Sequence, residues 1–104
     1  MTLIEALPEL VADIEGALVR LGRGRVADQV RVVKLVSWAF DDFAQSTYLT
    51  LADAQGPNGT AEETISLYDD IGVNIELDKR GRLVGLEVTG YEESLSRLGH
   101  TDPK

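Results

Sequence analysis

The feature that most limits what this chain can fold into is an apolar stripe near its start. Leu3, Leu7, Leu10, Ile14, Ala17 and Leu21 recur at steps of three and four, and Val11 and Leu18 widen the band. That spacing lays one apolar face along an amphipathic helix over residues 3–22. A face of that length needs a cover. It lies across a sheet of its own chain, or it meets the same helix of a second subunit. Leu3, Leu7, Leu10, Ile14, Leu18 and Leu21 are therefore also the candidate residues of a dimer helix. Pro8 suits the first turn, where a missing N–H costs nothing. Arg20 and Arg23 suit the negative end, and Gly22 or Gly24 the C-cap.

After Arg31 the period changes from helical to alternating. Val32, Val36, Trp38 and Phe40 share one side of an extended chain, with Val33, Leu35 and Ala39 on the other. This predicts a strand over about 31–40. Residues 41–46 turn the chain, and 47–52 form a second strand with Leu49 and Leu51 facing inward, making an antiparallel hairpin. A short strand follows at 64–68. Val73, Ile75 and Leu77 alternate with polar residues over 72–77, and Val84, Leu86 and Val88 do so over 82–89. Asp78-Lys79-Arg80-Gly81 turns between them, with Gly81 free to take positive φ. Residues 26–30 read as a short helical turn and 91–98 as a short C-terminal helix. Residues 54–60 read as a loop, and Thr60 and Glu63 stand at capping-box spacing. The expected architecture is one α+β domain over 1–104. Its N-terminal amphipathic helix packs on a small, mostly antiparallel four-stranded sheet, one of the five candidate strands being short or absent.

With 104 residues and an apolar fraction of 43%, the chain can build one core without metals or disulfides. It contains no cysteine, so thiolate metal sites and cysteine nucleophiles are excluded. The sole histidine, His100, lies four residues from the end, which removes a Ser-His-Asp triad. The segment GPNGT lacks the Gly-Lys-Ser/Thr ending of a phosphate loop. Gly22-Arg23-Gly24-Arg25 could contact an anion, but a helix C-terminus repels anions, so capping is the expected role. Residues 1–11 lack a basic n-region, and no apolar run reaches the ~20 residues that span a bilayer. A cytoplasmic location is expected, with no membrane partner.

The net charge of −8 is unevenly placed. Acids and bases balance over residues 1–40, so the excess lies in residues 41–104. Nucleic acid is disfavoured as a partner, whereas a basic protein would be steered toward the second half. The acids come in doublets: Asp41-Asp42, Glu62-Glu63, Asp69-Asp70 and Glu92-Glu93. Paired carboxylates can hold a hard cation or serve as acid and base, but neighbours on a strand point to opposite faces. No calcium-loop spacing occurs, and neither metal nor cofactor is expected.

The stretch from Trp38 to Val88 resembles the DUF2283 family of small bacterial proteins of unknown function. Gly72 to Val88, GVNIELDKRGRLVGLEV, carries most of the likeness. The family's acidic turn, an Asp before a Leu-Tyr strand, stands altered here as Asp41-Asp42-Phe43-Ala44-Gln45-Ser46. The N-terminal half is similar to a second uncharacterised bacterial group, in Leu7-Pro8-Glu9-Leu10-Val11-Ala12-Asp13 and Ala27-Asp28-Gln29-Val30. That group has cysteines where this chain has Ser37, Ala39 and Ala44, which implies that any metal or redox role is lost here. The first resemblance implies an antitoxin-like role.

Trp38 and Phe40 project from one strand face, as core or as an aromatic patch for a partner. With Asp41, Asp42, Asp69 and Asp70 they are the candidate partner-binding residues. No catalytic set is present, so the expected function is a non-catalytic protein-binding module, antitoxin-, immunity- or adaptor-like, with a basic protein as partner. A structural homodimer is the alternative, and a small carboxylate-dependent enzyme stands behind it.

Overall fold

The computed structural model describes residues 1–43, 45–51 and 62–98. In chain order the elements are α1 (Leu3–Ala6), α2 (Pro8–Arg20), α3 (Gly24–Val32), β1 (Leu35–Asp41), β2 (Ser46–Leu51), β3 (Glu63–Leu67), α4 (Tyr68–Ile71), β4 (Val73–Leu77), β5 (Leu83–Val88) and α5 (Glu92–Ser96). The α+β class and the antiparallel sheet are as expected. The sheet has five strands rather than four, in the order β1-β2-β5-β4-β3. All neighbours are antiparallel.

The N-terminal helix is broken once. Thr2 caps α1 with Glu5 as its capping-box partner, and the chain leaves helical geometry at Leu7 so that Pro8 can open α2. Gly22, at φ 75, ends α2 in the left-handed conformation that glycine tolerates. Two residues later α3 begins. It absorbs Arg31 and Val32, so the strand expected from Arg31 starts at Leu35 instead, and Val32 is exposed on the helix.

Leu3, Leu7, Leu10, Ile14 and Leu18 are fully buried in one cluster with the inward residues of the sheet. Those inward residues follow from the register. Leu49, Leu86, Ile75 and Ile65 lie in one row across four strands, and Val88, Val73 and Leu67 lie in the next. Each large side chain removed from water contributes about 1.5–3 kcal/mol. The stripe is thus spent inside the chain, and only Leu21, 56% exposed, stays outside. These residues cannot serve a second subunit without unpacking the core.

Two bulges adjust the sheet. In β1 the register shifts between Leu35 and Ser37, which leaves Val36 as the extra residue. Leu35 thereby joins Trp38 on the inward face, where strict alternation had set them on opposite faces. In β5 the shift opposite Glu76 and Leu77 leaves Val84 as the extra residue, and both Leu83 and Val84 are buried.

The β4–β5 turn forms around Asp78, as the sequence indicates, and Gly81 takes φ 77. The buried Asp78 carboxylate accepts from the backbone N–H groups of Arg82 (2.9 Å) and Arg80 (2.8 Å) and from Arg82 Nε (2.8 Å). Gln29 of α3 clamps the same turn, donating to the Gly81 carbonyl and accepting from the Leu83 N–H, each at 2.8 Å.

The backbone N–H of Arg82, against the opposing cost of burial, holds the Asp78 carboxyl below the usual carboxylate range, and the Arg82 side chain and the Arg80 N–H add to this. Folding therefore gains stability from Asp78 above its unfolded pKa, about 4, and loses it as pH falls through the lower folded value. Urea midpoints followed from about pH 6 down to about pH 2 should fall less steeply in Asp78→Asn than in the native chain. Identical pH dependence in the two would show that this turn is not a source of acid sensitivity.

Candidate functional site

The β1–β2 hairpin builds an unusual corner. The Asp41 carboxylate accepts from the Phe43 N–H at 3.0 Å, an Asx turn that starts the reversal. Gln45 adopts φ 54, and its side-chain amide donates to the Asp42 carbonyl. Asp41 and Ser46 close the hairpin as a pair. Held this way, Phe43 is 100% exposed and Phe40 is 61% exposed, with Asp41 and Asp42 between them in sequence and also exposed.

Trp38 and Phe40 do share a strand face, yet their surroundings differ. Trp38 faces Leu49 and is 8% exposed, whereas Phe40 faces Thr47 nearer the hairpin end. Two residues along a strand is about 6.8 Å, enough to pass from under the core to its rim. β1 is also a sheet edge. At its start Leu35 donates to the Met1 carbonyl, but no described strand pairs with its outer side beyond that point.

Behind the corner lies a cavity of about 350 Å³. Trp38, Phe40, Thr47, Val88, Leu95 and Leu98 form much of its wall, and Glu92 stands among the lining residues. The Trp38 Nε1–H is buried and finds no acceptor among the described residues.

Asp69 and Asp70 are not part of this corner. They sit in α4, which connects the opposite edge strand β3 to β4, and β3 lies four strand spacings (about 19 Å) across the sheet from β1. Asp70 pairs with Arg20 at 2.7 Å. Glu63, from another doublet, takes a two-point bond from Arg23 at 3.1 and 3.2 Å. Among the described residues no group of three or more His, Cys, Asp or Glu side chains is placed to hold a metal ion. Thr60 and His100 lie outside the described residues.

A second concavity, of about 590 Å³, gathers Arg23, Arg25 and Arg80 around Gly24, Gln29 and Gly81. The expectation that Gly22-Arg23-Gly24-Arg25 belongs only to a helix C-terminus is incomplete. Gly22 and Arg23 follow the C-cap of α2, and Gly24 and Arg25 begin α3, so the positive end of α3 borders this cleft as well. A nine-residue helix with a glycine at its first position gave too little periodicity to be read as more than a turn.

The sheet face opposite the core is polar. Tyr48 lies across Gly85, where a Cβ would collide with its hydroxyl and ring, and donates to Glu76 at 2.6 Å. Glu87 accepts from Asn74 at 3.1 Å and from Ser46 at 3.4 Å. Partial burial, with Glu76 beside it, raises the Tyr48 pKa above its ordinary value, so the phenol serves as a donor rather than as a base. Gly85 is therefore required by a cross-strand aromatic, a use that alternation alone does not reveal. No helix among the described residues is long and apolar enough to cross a membrane.

Gly85→Ala should lower stability by about 1–3 kcal/mol, because Tyr48 must leave its place. The same substitution in a Tyr48→Ala chain should cost clearly less, as read from urea midpoints of the four chains. Equal costs in both backgrounds would mean that the tyrosine does not occupy this position. No family model matches the chain, and no curated protein or solved structure matches it either.

Proposed function

We propose that this chain is a non-catalytic protein-binding module that uses the β1–β2 corner to hold an extended, apolar and basic segment of another protein. The observation that carries this reading is the pair of exposed phenylalanines, Phe40 and Phe43, at the end of an edge strand. Large aromatics in water at one place mark contact surfaces, and aromatic anchors dominate binding energy. The edge supports strand addition. From Ser37 to Phe40 the outer side of β1 offers backbone donors and acceptors to a further strand, and the bulge at Val36 limits pairing to that short length.

Charge supports the basic character of the partner. Asp41 and Asp42 stand between the two aromatics, and Glu92 and Glu93 open α5 nearby. Their field would speed encounter with a cationic segment and would weaken with salt. The antitoxin-like role implied by the DUF2283 resemblance is one form such a module takes. The acids farther away, Asp69 and Asp70, are not part of this proposal.

Selection of random peptides displayed on phage against the immobilised chain tests the reading. The enriched peptides should carry bulky apolar residues beside lysine or arginine. Phe40→Ser and Phe43→Ser should each weaken their binding roughly ten- to thirtyfold. Val19→Ser, at an exposed apolar position on α2, should leave it unchanged. Peptides without basic residues, or binding indifferent to both phenylalanines, would overturn it.

A further inference from the structure

We infer that the cavity beneath α5 is a binding site for a small, uncharged, largely apolar molecule bearing a hydrogen-bond acceptor of the ketone or amide carbonyl type. This inference does not depend on the corner binding a protein.

Size is the first ground. About 350 Å³ lies at the lower end of the range for small-molecule sites, well above what one or two waters need. Chemistry is the second. Trp38, Phe40, Val88, Leu95 and Leu98 present apolar surface from three separate elements and the turn after α5, and with Gln45, Ser46, Thr47 and Ser96 also on the wall this favours a largely apolar ligand with a polar group over a strongly hydrated one. Glu92 among the lining residues disfavours an anion there.

The third ground is the indole donor. Trp38 is more than nine-tenths buried and lines the cavity, and its Nε1–H has no acceptor among the described residues. A buried donor left unpaired is costly, and most native ones are satisfied. Solvent does not touch this N–H, so the indole as it stands does not aim it into the open cavity, and pairing with an acceptor there takes a rotation of the ring. The cavity beside the indole gives room for that rotation. An apolar molecule without an acceptor would fill the volume but leave the N–H unpaired. A carbonyl compound does both.

The test uses the full chain, labelled with ¹⁵N, and two probes of nearly one shape, 2-acetylnaphthalene and 2-ethylnaphthalene. Trp38 is the only tryptophan, so its indole N–H gives a single resolved signal. The ketone should bind saturably at one site, move that indole proton downfield and shift amides around Val88 and Leu95. The ethyl compound should bind about tenfold more weakly and leave the indole proton near its place. Trp38→Phe, which keeps an aromatic ring but has no N–H, should bring the two affinities within about twofold. Leu95→Phe narrows the cavity while Trp38 stays, and it should weaken both probes at least about tenfold. Failure of the ketone to bind saturably would overturn the assignment. So would equal affinities with an unmoved indole signal, or undiminished binding to Leu95→Phe.

Discussion

The whole arrangement depends on a single burial. One face of a five-stranded sheet is apolar and the other is polar, and among the described residues only the apolar face has a helical cover. The stripe running from Leu3 to Leu18 supplies that cover from within the chain. Because each buried leucine or isoleucine contributes on the order of 1.5–3 kcal/mol, the four leucines and one isoleucine of the stripe that are fully buried outweigh any ion pair on this surface. Covering one face also fixes the register of every strand, since a slip of one residue would turn the apolar set into water. The surfaces proposed for binding are what this cover leaves over. Where β1 runs past the core, Phe40 is left in solvent and a cavity remains between the strand end and α5.

Polar interactions act on this frame by specifying connections. Gln29 fastens α3 to the β4–β5 turn through two backbone groups, and Asp78 organises the turn from inside with three donors. Tyr48 spans Gly85 to reach Glu76, joining three neighbouring strands on the uncovered face. The exposed pairs, Arg20–Asp70 and Arg23–Glu63, tie the helical layer to the far edge of the sheet and are individually worth little. They pair Asp70 and Glu63 at that edge, while Asp41 and Asp42 stand exposed beside two aromatics at the other.

Much of this was legible in the residues. The amphipathic stripe, the inward Leu49 and Leu51, the β4–β5 hairpin and the turn at Gly81 all follow from periodicity and turn chemistry. The helix α3 did not, because it is short, begins with glycine and ends in valines that also suit a strand. Strict alternation misassigned Leu35, because a bulge adds a residue without a composition signal. Alternation placed Trp38 and Phe40 on the same face correctly but could not show where the core ends along β1, which is what separates a buried indole from an exposed phenyl ring. Gln29 and Gly85 escaped notice because their roles exist only across 52 to 54 residues of chain in one case and across strands in the other.

The central claim is that this molecule acts through contact at the free end of β1. A photo-crosslinking amino acid placed at position 43 in cells that express the chain tests it most directly, with the same group at Val19 and Val32, exposed apolar positions on the helical side, as controls. The account predicts one discrete adduct with another protein at position 43, lost when Phe40 is changed to serine, and none at 19 or 32. Adducts at the helical positions with none at 43 would contradict it.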